Sequence, residues 1–299
     1  MDIGLIDVDG HNFPNVALMK ISAWHKQRGD HVDWYDPLGG RIDVVYKSKV
    51  FTFTEDYKYP IYAEKEICGG TGYYYPSGGE KLPDEIEHIY PDYDLYPTLC
   101  RDTAYGFLTR GCPRQCDFCI VSSKEGCRSR KVANLDEFWK GQKNIILLDP
   151  NITACRERKE LLQQLVDSGA WVDFTQGIDI RTMTVEMAFL ISKIKCKTVH
   201  FAWDRPEDER VVVPALKMFK DITGWDYRRM IVYMLTNYGS TFEQDLHRVY
   251  TIKSLGYSPY VMIYEKDSLP AGHKLKKLQR WVNSNKIFRK VETFEEYDA

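Results

Sequence analysis

The sequence lacks several features that would assign it to a class at once. It has no apolar run long enough to span a membrane, and its amino terminus lacks the basic start and apolar stretch of a secretory signal, so we expect a cytoplasmic protein. Neither sign of charge dominates: 41 Lys and Arg residues oppose 43 Asp and Glu residues. The resulting net charge of −2 argues against a general nucleic-acid coat.

Cysteine is also too scarce for a disulfide scaffold. Eight cysteines in 299 residues, without an export signal, indicate thiols that are reduced or bound to metal. Hydrophobic residues make up 43% of the chain and charged residues 28%, which is typical of a globular protein. The length allows one large domain or two ordinary ones.

Three of the cysteines are concentrated in eight residues. Cys112, Cys116 and Cys119 have the spacing C-x3-C-x2-C, which places three thiolates on one short loop. Such a loop can hold three corners of a four-iron four-sulfur cluster and leave the fourth iron open to a small ligand. A structural zinc site needs four ligands, and His88 and His200 are far away in the sequence. We therefore predict that these cysteines are the metal ligands of an iron–sulfur cluster.

The other five cysteines are scattered. Cys68, Cys100, Cys127, Cys155 and Cys196 follow no ligand spacing. Small buried hydrophobes or idle thiols are the simpler interpretation. A second cluster built from some of them stays open.

Residues 1–98 predict a small doubly wound α/β domain. Short apolar runs at 3–8, 31–35 and 43–46 indicate strands, and helical spacing of apolar residues spans 14–28. Residues 66–98 are rich in turn formers and aromatic residues, and we interpret them as connecting structure.

Residues 99–270 predict a partial (βα)6 barrel of the TIM type. Helical patterns separate six apolar runs, at 104–108, 144–148, 171–174, 198–202, 230–234 and 260–264. The cysteines follow the first of these strands. We therefore expect them at the carboxyl ends of the strands, where βα folds place their active sites.

The remaining segment, 271–299, is a basic tail. Seven Lys or Arg residues and no acidic residue lie within 273–290. A solvated amphipathic helix that closes the barrel is the simpler interpretation. A contact surface for RNA or another acidic partner is the alternative.

The cysteine loop resembles that of a known family. The run from Phe107 to Cys119, FLTRGCPRQCDFC, is similar to the cluster loop of radical S-adenosylmethionine (radical SAM) enzymes, as is the Arg128-Ser129-Arg130 run. The order of parts over residues 1–265 resembles members with an N-terminal cobalamin-binding-type domain, and the related methylthiotransferases. The latter fit less well, because neither their extra N-terminal cysteine trio nor their C-terminal RNA-binding barrel is evident here.

The resemblance implies an activity. The open iron binds the amino and carboxylate groups of SAM, an external one-electron reductant supplies an electron, and SAM is cleaved to methionine and a 5′-deoxyadenosyl radical. The radical then abstracts hydrogen from a substrate that the sequence does not identify. No catalytic residue for that second step is predicted.

The resemblance also implies residues that bind SAM. Phe118 matches the aromatic residue beside the adenine, and Asp149 or Asn151 corresponds in place to the acceptors of the SAM amino group. The usual Gly-Gly-Glu pattern is absent there.

A second set of expected SAM contacts follows the third barrel strand, in the run from Gln176 to Arg181. Asp179 is expected on the ribose hydroxyls and Arg181 on the SAM carboxylate. A structural ion pair between Asp179 and Arg181 is the alternative.

Two other functions stay open. Asp9-Gly-His11 partly matches the D-x-H-x-x-G motif that ligates cobalt in cobalamin proteins, but Pro14 stands where the motif has Gly. A cobalamin-dependent radical SAM methyltransferase is therefore one alternative, and an ordinary turn at His11 is the other interpretation. A non-catalytic iron–sulfur or zinc module is an alternative of a different class.

Overall fold

The computed structural model describes residues 1–176 and 178–298. The chain forms two compact units. The first comprises residues 1–150 and 155–157, and the second comprises 151–154 and the chain from 158 onward. The domain divisions predicted at residues 98 and 270 stay predictions.

The first unit contains eight strands and four short or medium helices. Its strands are β1 (Asp2–Asp7), β2 (His31–Trp34), β3 (Ile42–Ser48), β4 (Ala63–Gly69), β5 (Thr103–Gly106), β6 (Thr109–Arg110), β7 (Arg130–Lys131) and β8 (Asn144–Leu147). Its helices are α1 (Val16–Gln27), α2 (Asp84–Glu87), α3 (Pro97–Cys100) and α4 (Val121–Glu125).

The first four strands form a parallel sheet in the order β2-β1-β3-β4. Helix α1 begins where the side chain of Asn15 accepts a hydrogen bond from the Leu18 amide, and it buries Leu18 and Met19. These side chains share one apolar core with Ile3 and Leu5 of β1. The predicted helix at 14–28 is thereby confirmed.

Strand β4 was not expected. Its residues are Ala-Glu-Lys-Glu-Ile-Cys-Gly, and part of this segment was expected to be connecting structure. The strand lies at the edge of the sheet, so it needs only one hydrogen-bonded neighbour and keeps charged side chains exposed. Charged edge strands lack the apolar alternation that predicts a strand.

The second unit alternates helices and strands. Its elements are α5 (Arg158–Ser168), β9 (Trp171–Phe174), α6 (Val185–Ser192), β10 (Lys195–Ala202), α7 (Glu209–Thr223), β11 (Met230–Thr236), α8 (Phe242–Ser254), β12 (Ser258–Ile263), α9 (Lys274–Asn283), α10 (Asn285–Lys290) and α11 (Phe294–Asp298).

The larger sheet has six strands in the order β12-β11-β10-β9-β8-β5. Neighbouring strands pair in parallel in β5–β8, β9–β10, β10–β11 and β11–β12. The α/β class with parallel sheets is thus confirmed. Closure of this sheet into a partial barrel stays a prediction.

The basic tail contains the expected amphipathic helix. Leu275, Leu278, Trp281 and Val282 of α9 are buried, and the helix packs against β12. Among the described residues, no helix is both long and apolar enough to cross a lipid bilayer.

Candidate metal and cofactor site

The three clustered cysteines lie in a loop that a small hairpin closes. Strands β6 and β7 pair antiparallel, with Thr109 opposite Lys131 and Arg110 opposite Arg130. Residues 111–129 therefore form one loop that connects the two strands of the hairpin. Cys112, Cys116 and Cys119 are all partly exposed within it.

The start of the loop requires glycine. Gly111 has φ +87°, a region that residues with a side chain rarely adopt. A Cβ at this position would also collide with the carbonyl oxygen of Arg128 and lie 3.0 Å from that of Gly126. The two arms of the loop therefore pass so close to each other at Gly111 that only glycine fits there.

Hydrogen bonds then join the two arms. The Cys112 amide donates to the Gly126 carbonyl at 3.1 Å, and the Gly111 amide donates to Oε2 of Glu125 at 3.1 Å. The other carboxylate oxygen of Glu125 accepts from the Arg110 guanidinium at 3.0 Å. Glu125 thus holds both a backbone amide and a side chain at the base of the loop.

Within the loop the chain turns sharply. The Cys119 amide donates to the Cys116 carbonyl at 2.9 Å, so the second and third cysteines lie on one turn. Phe118, between them, is partly buried. Gln115, between the first and second cysteines, has φ +47°, a left-handed conformation that residues with a side chain rarely adopt.

Asp149 anchors the approach to the loop. It follows β8, is 4% exposed, and accepts hydrogen bonds from the amides of Leu108 (3.0 Å) and Thr109 (2.5 Å) and from the Thr109 hydroxyl (2.6 Å). Burial raises the pKa of Asp149 to about 6, although these donors oppose the shift. Its carboxylate therefore serves the backbone just ahead of β6, and its expected contact with the SAM amino group stays a prediction.

The remaining predicted SAM contacts lie in the second unit. Oδ1 of Asn151, a buried side chain, accepts from the Thr153 hydroxyl at 3.0 Å and from the Ala154 amide at 3.2 Å. The Thr153 hydroxyl in turn lies 3.1 Å from that of Thr182. These bonds place Asn151 beside the short helical turn that follows Asp179.

Arg181 is held between two carboxylates. Its Nε donates to Oδ1 of Asp179 at 2.8 Å, and its Nη1 donates to Oδ2 of Asp208 at 2.8 Å. The ion pair that the sequence left as an alternative is therefore present, with a third member that sequence spacing did not indicate. Gln176 is exposed, and its neighbour Gly177 lies outside the described residues.

A buried arginine near these residues was missed. Arg248 of α8 is 1% exposed and donates to the carbonyls of Trp203 (2.6 Å), Asp204 (2.8 Å) and Leu235 (2.9 Å), and to Oδ1 of Asp245 (2.6 Å). It joins the carboxyl ends of β10 and β11. The only sequence signal was an Asp and an Arg three residues apart on a helix, which also fits an exposed pair.

The second unit has a cavity of about 340 Å³, and Arg248 is among the residues that line it. Its lining includes Glu207, Glu209, Gln244, His247 and Arg248. Nε2 of His247 lies 3.0 Å from Oε1 of Glu209. Its walls thus carry both signs of charge.

His11, the possible cobalt ligand, is exposed. Its ring stacks on that of Trp34, with 4.0 Å between centroids, and meets the Tyr96 ring edge-on at 5.8 Å. Asp9 of the same motif accepts from the Val50 amide at 2.5 Å and from the Thr54 hydroxyl at 2.6 Å. Asp9 therefore ties the loop after β1 to the loop after β3, and cobalt ligation by His11 stays a prediction.

The donor set of the cysteine loop fits an iron–sulfur cluster. Three thiols within eight residues are partly exposed on a loop whose two arms are joined at the base. Within residues 1–176 and 178–298, no group of three His, Cys, Asp or Glu side chains lies close enough to hold one metal ion. The thiolates of a cubane cluster bind separate irons, so a cluster does not require such a group.

Comparison of the chain with protein-family models and with curated proteins gives no match.

Proposed function

We propose that this chain is a radical SAM enzyme that holds a four-iron four-sulfur cluster through Cys112, Cys116 and Cys119. The observation that supports the proposal best is the cysteine loop itself. Three partly exposed thiols follow a parallel strand, on a loop whose entry only glycine can make. Active sites of parallel α/β folds lie at the carboxyl ends of strands, which is where this loop begins.

When bound, the cluster supplies an open iron and one electron for cleavage of SAM to methionine and a 5′-deoxyadenosyl radical. The chain's own residues position it. Glu125 and Asp149 fix the backbone on either side of β6, so the thiols need little reordering to bind metal. Preorganised ligands lose less entropy on binding.

The proposed SAM contacts remain those expected from sequence. They are Phe118, Asp149, Asn151, Gln176, Asp179 and Arg181. Asp179 and Asp208 fix the Arg181 guanidinium, which orients it and offsets its charge. We further propose that the six-stranded sheet is the family's partial barrel, and that an external one-electron reductant serves the cluster.

The test begins with protein purified without oxygen. It should hold about four irons per chain, and with dithionite and SAM it should release 5′-deoxyadenosine. Cys116→Ala should lose both properties. Cys127→Ala is the matched control, because Cys127 is an exposed cysteine on the same loop outside the C-x3-C-x2-C spacing, and it should keep its iron.

Other results would assign the alternatives. Iron at these cysteines without SAM cleavage would identify a non-catalytic iron–sulfur module, and zinc in place of iron a zinc module. A cobalamin absorption spectrum in the purified protein would identify the methyltransferase. Equal iron content in the Cys116 and Cys127 variants would show that the ligands lie elsewhere.

A further inference from the structure

The first unit exposes a group of aromatic rings that its core does not explain. Phe53 is 82% exposed, Tyr75 62%, Phe51 51% and Tyr74 45%. Phe51 and Phe53 follow β3, and Tyr74 and Tyr75 follow β4, so all four leave the carboxyl ends of neighbouring parallel strands. We call these four side chains the aromatic surface. Large exposed apolar groups that lie together usually mark a binding surface.

The two loops that carry these rings are held in one arrangement. The Gly72 amide donates to the Lys49 carbonyl at 2.8 Å, and a Cβ at Gly72 would lie 2.8 Å from the Phe51 carbonyl oxygen. The rings of Phe51 and Phe53 stack with 5.1 Å between centroids and 20° between planes. Two parallel flat rings therefore face solvent on a backbone that glycine allows to pack closely.

The second of these loops contacts the helix that follows the cysteines. A Cβ on Gly78 would lie 3.3 Å from side-chain carbons of Lys124, which belongs to α4. Helix α4 begins at Val121, two residues after Cys119. The aromatic surface and the cysteine loop are thus linked within one unit, through one packed contact.

The cysteine hairpin has the charge that the aromatic loops lack. Residues 110–131 contain six Lys or Arg residues and two acidic ones, in a chain whose net charge is −2. Arg114, Arg128 and Arg130 are exposed. Residues 49–62 and 69–79 together contain two Lys and two acidic residues, so the aromatic surface itself is neutral.

Several cations of the basic tail already have partners within the fold. Lys277 is paired with Asp298 of α11, and Lys276 donates to the Leu269 carbonyl. The Arg289 guanidinium lies over the Tyr227 ring at 3.6 Å. Part of the positive charge of the basic tail therefore already contacts other groups within the fold.

We propose that the aromatic surface and the basic hairpin together bind single-stranded nucleic acid, as the substrate class of the proposed enzyme. Bases stack on exposed flat rings without regard to sequence, while Lys and Arg contact the phosphates. A duplex would not fit, because its bases are already stacked on one another. The substrate role rests on the proposed function, whereas binding itself can be measured without it.

The experiment measures fluorescence anisotropy of a labelled single-stranded oligonucleotide with the full chain, purified without oxygen. RNA and DNA of one sequence are compared, each also as a duplex. Phe53→Ala should weaken single-strand binding about tenfold. Phe189→Ala is the matched control, since Phe189 of α6 is also more than half exposed but lies in the second unit, and its affinity should not change.

The contribution of charge to binding is tested by varying the salt concentration. Log affinity falls as log salt concentration rises. Arg128→Ala should make this slope shallower by about 0.7, the value for one phosphate contact on a single strand. Arg228→Ala, which removes an exposed arginine paired with Asp226, should leave the slope unchanged. Iron content measured in the same samples shows whether the cluster is present.

Several results would overturn the inference. Iron-loaded protein that cleaves SAM but binds no oligonucleotide would exclude this substrate class and leave the proposed function intact. Equal affinity of the Phe53 and Phe189 variants would exclude the aromatic surface. A concentration-dependent dimer that Phe53→Ala dissociates would instead assign the surface to contact between two copies. Oligonucleotide binding by protein without iron would support the surface and contradict the proposed function.

Discussion

The base of the cysteine loop and the second unit both contain ionic side chains that are at least partly buried, but these side chains bind different partners. At the loop, Asp149 and Glu125 both accept hydrogen bonds from backbone amides, and Glu125 also accepts one from the Arg110 guanidinium. In the second unit, Arg181 and Arg248 pair with carboxylates, and Arg248 also binds backbone carbonyls. The first arrangement fixes a backbone and leaves the thiols partly exposed. The second arrangement neutralises charge within the fold.

On the proposed function, changes at the cysteine loop should affect iron binding, whereas changes in the second unit should affect stability alone. Glu125 and Asp149 hold the backbone at the base of the loop that carries the cysteines. In the second unit, Arg248 holds the ends of β10 and β11. The following changes test that separation.

The largest effect is expected from Gly111→Ala. The new Cβ would collide with the Arg128 carbonyl oxygen, in addition to the roughly 1–2 kcal/mol that a left-handed conformation costs a residue with a side chain. The arms of the loop must then separate, so we expect loss of most of the bound iron, measured after anaerobic reconstitution.

Gly141→Ala is the control for this change. Gly141 has φ +96°, but a Cβ there would meet nothing within 4 Å. It should carry the conformational cost alone and keep its iron. Equal iron content in both alanine variants would mean that closure of the hairpin does not position the cysteines.

A smaller loss, of stability and not of iron, is expected from Arg248→Met. It removes donors to three carbonyls and leaves Asp245 buried without its partner, which typically costs about 3–5 kcal/mol. Urea unfolding followed by circular dichroism measures this loss. The exposed Arg228→Met should cost at most about 1 kcal/mol, and iron loss in the Arg248 variant alone would contradict the separation.

The smallest effect is a pH dependence from Asp149. Its pKa is near 3.8 when exposed and about 6 in the fold, raised by burial. Between these values the folded chain keeps a proton that the unfolded chain releases, so the free energy of unfolding falls as pH rises, by about 3 kcal/mol in total. Above about pH 6 this contribution becomes constant.

Urea titrations across this pH range, compared between the wild type and Asp149→Asn, measure the effect. The variant has no carboxyl group at position 149 to titrate, so its free energy of unfolding should fall less steeply from about pH 4 to about pH 6. Parallel slopes for the two proteins would show that Asp149 does not titrate in this window.

Much of the local structure followed from sequence patterns. Helical spacing predicted α1, and the apolar stripe that includes Leu161, Leu162 and Leu165 belongs to α5, where all three are buried. The six apolar runs after residue 98 correspond to the six strands of the larger sheet. These features depend on neighbours a few residues apart, so periodicity shows them.

The features that escaped prediction depend on distant partners. Strand β4 is charged and exists because β3 pairs with it. The hydrogen bonds from amides about forty residues earlier in the chain to the Asp149 carboxylate were not predicted, and its expected contact with SAM stays a prediction. Nothing in local sequence distinguishes a carboxylate that serves a ligand from one that serves a backbone.

The sequence by itself determined the spacing of three thiols, C-x3-C-x2-C, within a basic segment of a nearly neutral chain. Covalent spacing alone keeps such thiols within one loop. Only the tertiary structure decided that Gly126 and Arg128 close against Gly111 and that Asp149 holds the approach. It also decided that Phe53 and Tyr75 face solvent, and that the loop of Tyr75 packs against α4. Those contacts join residues far apart in the chain, and folding alone brings them together.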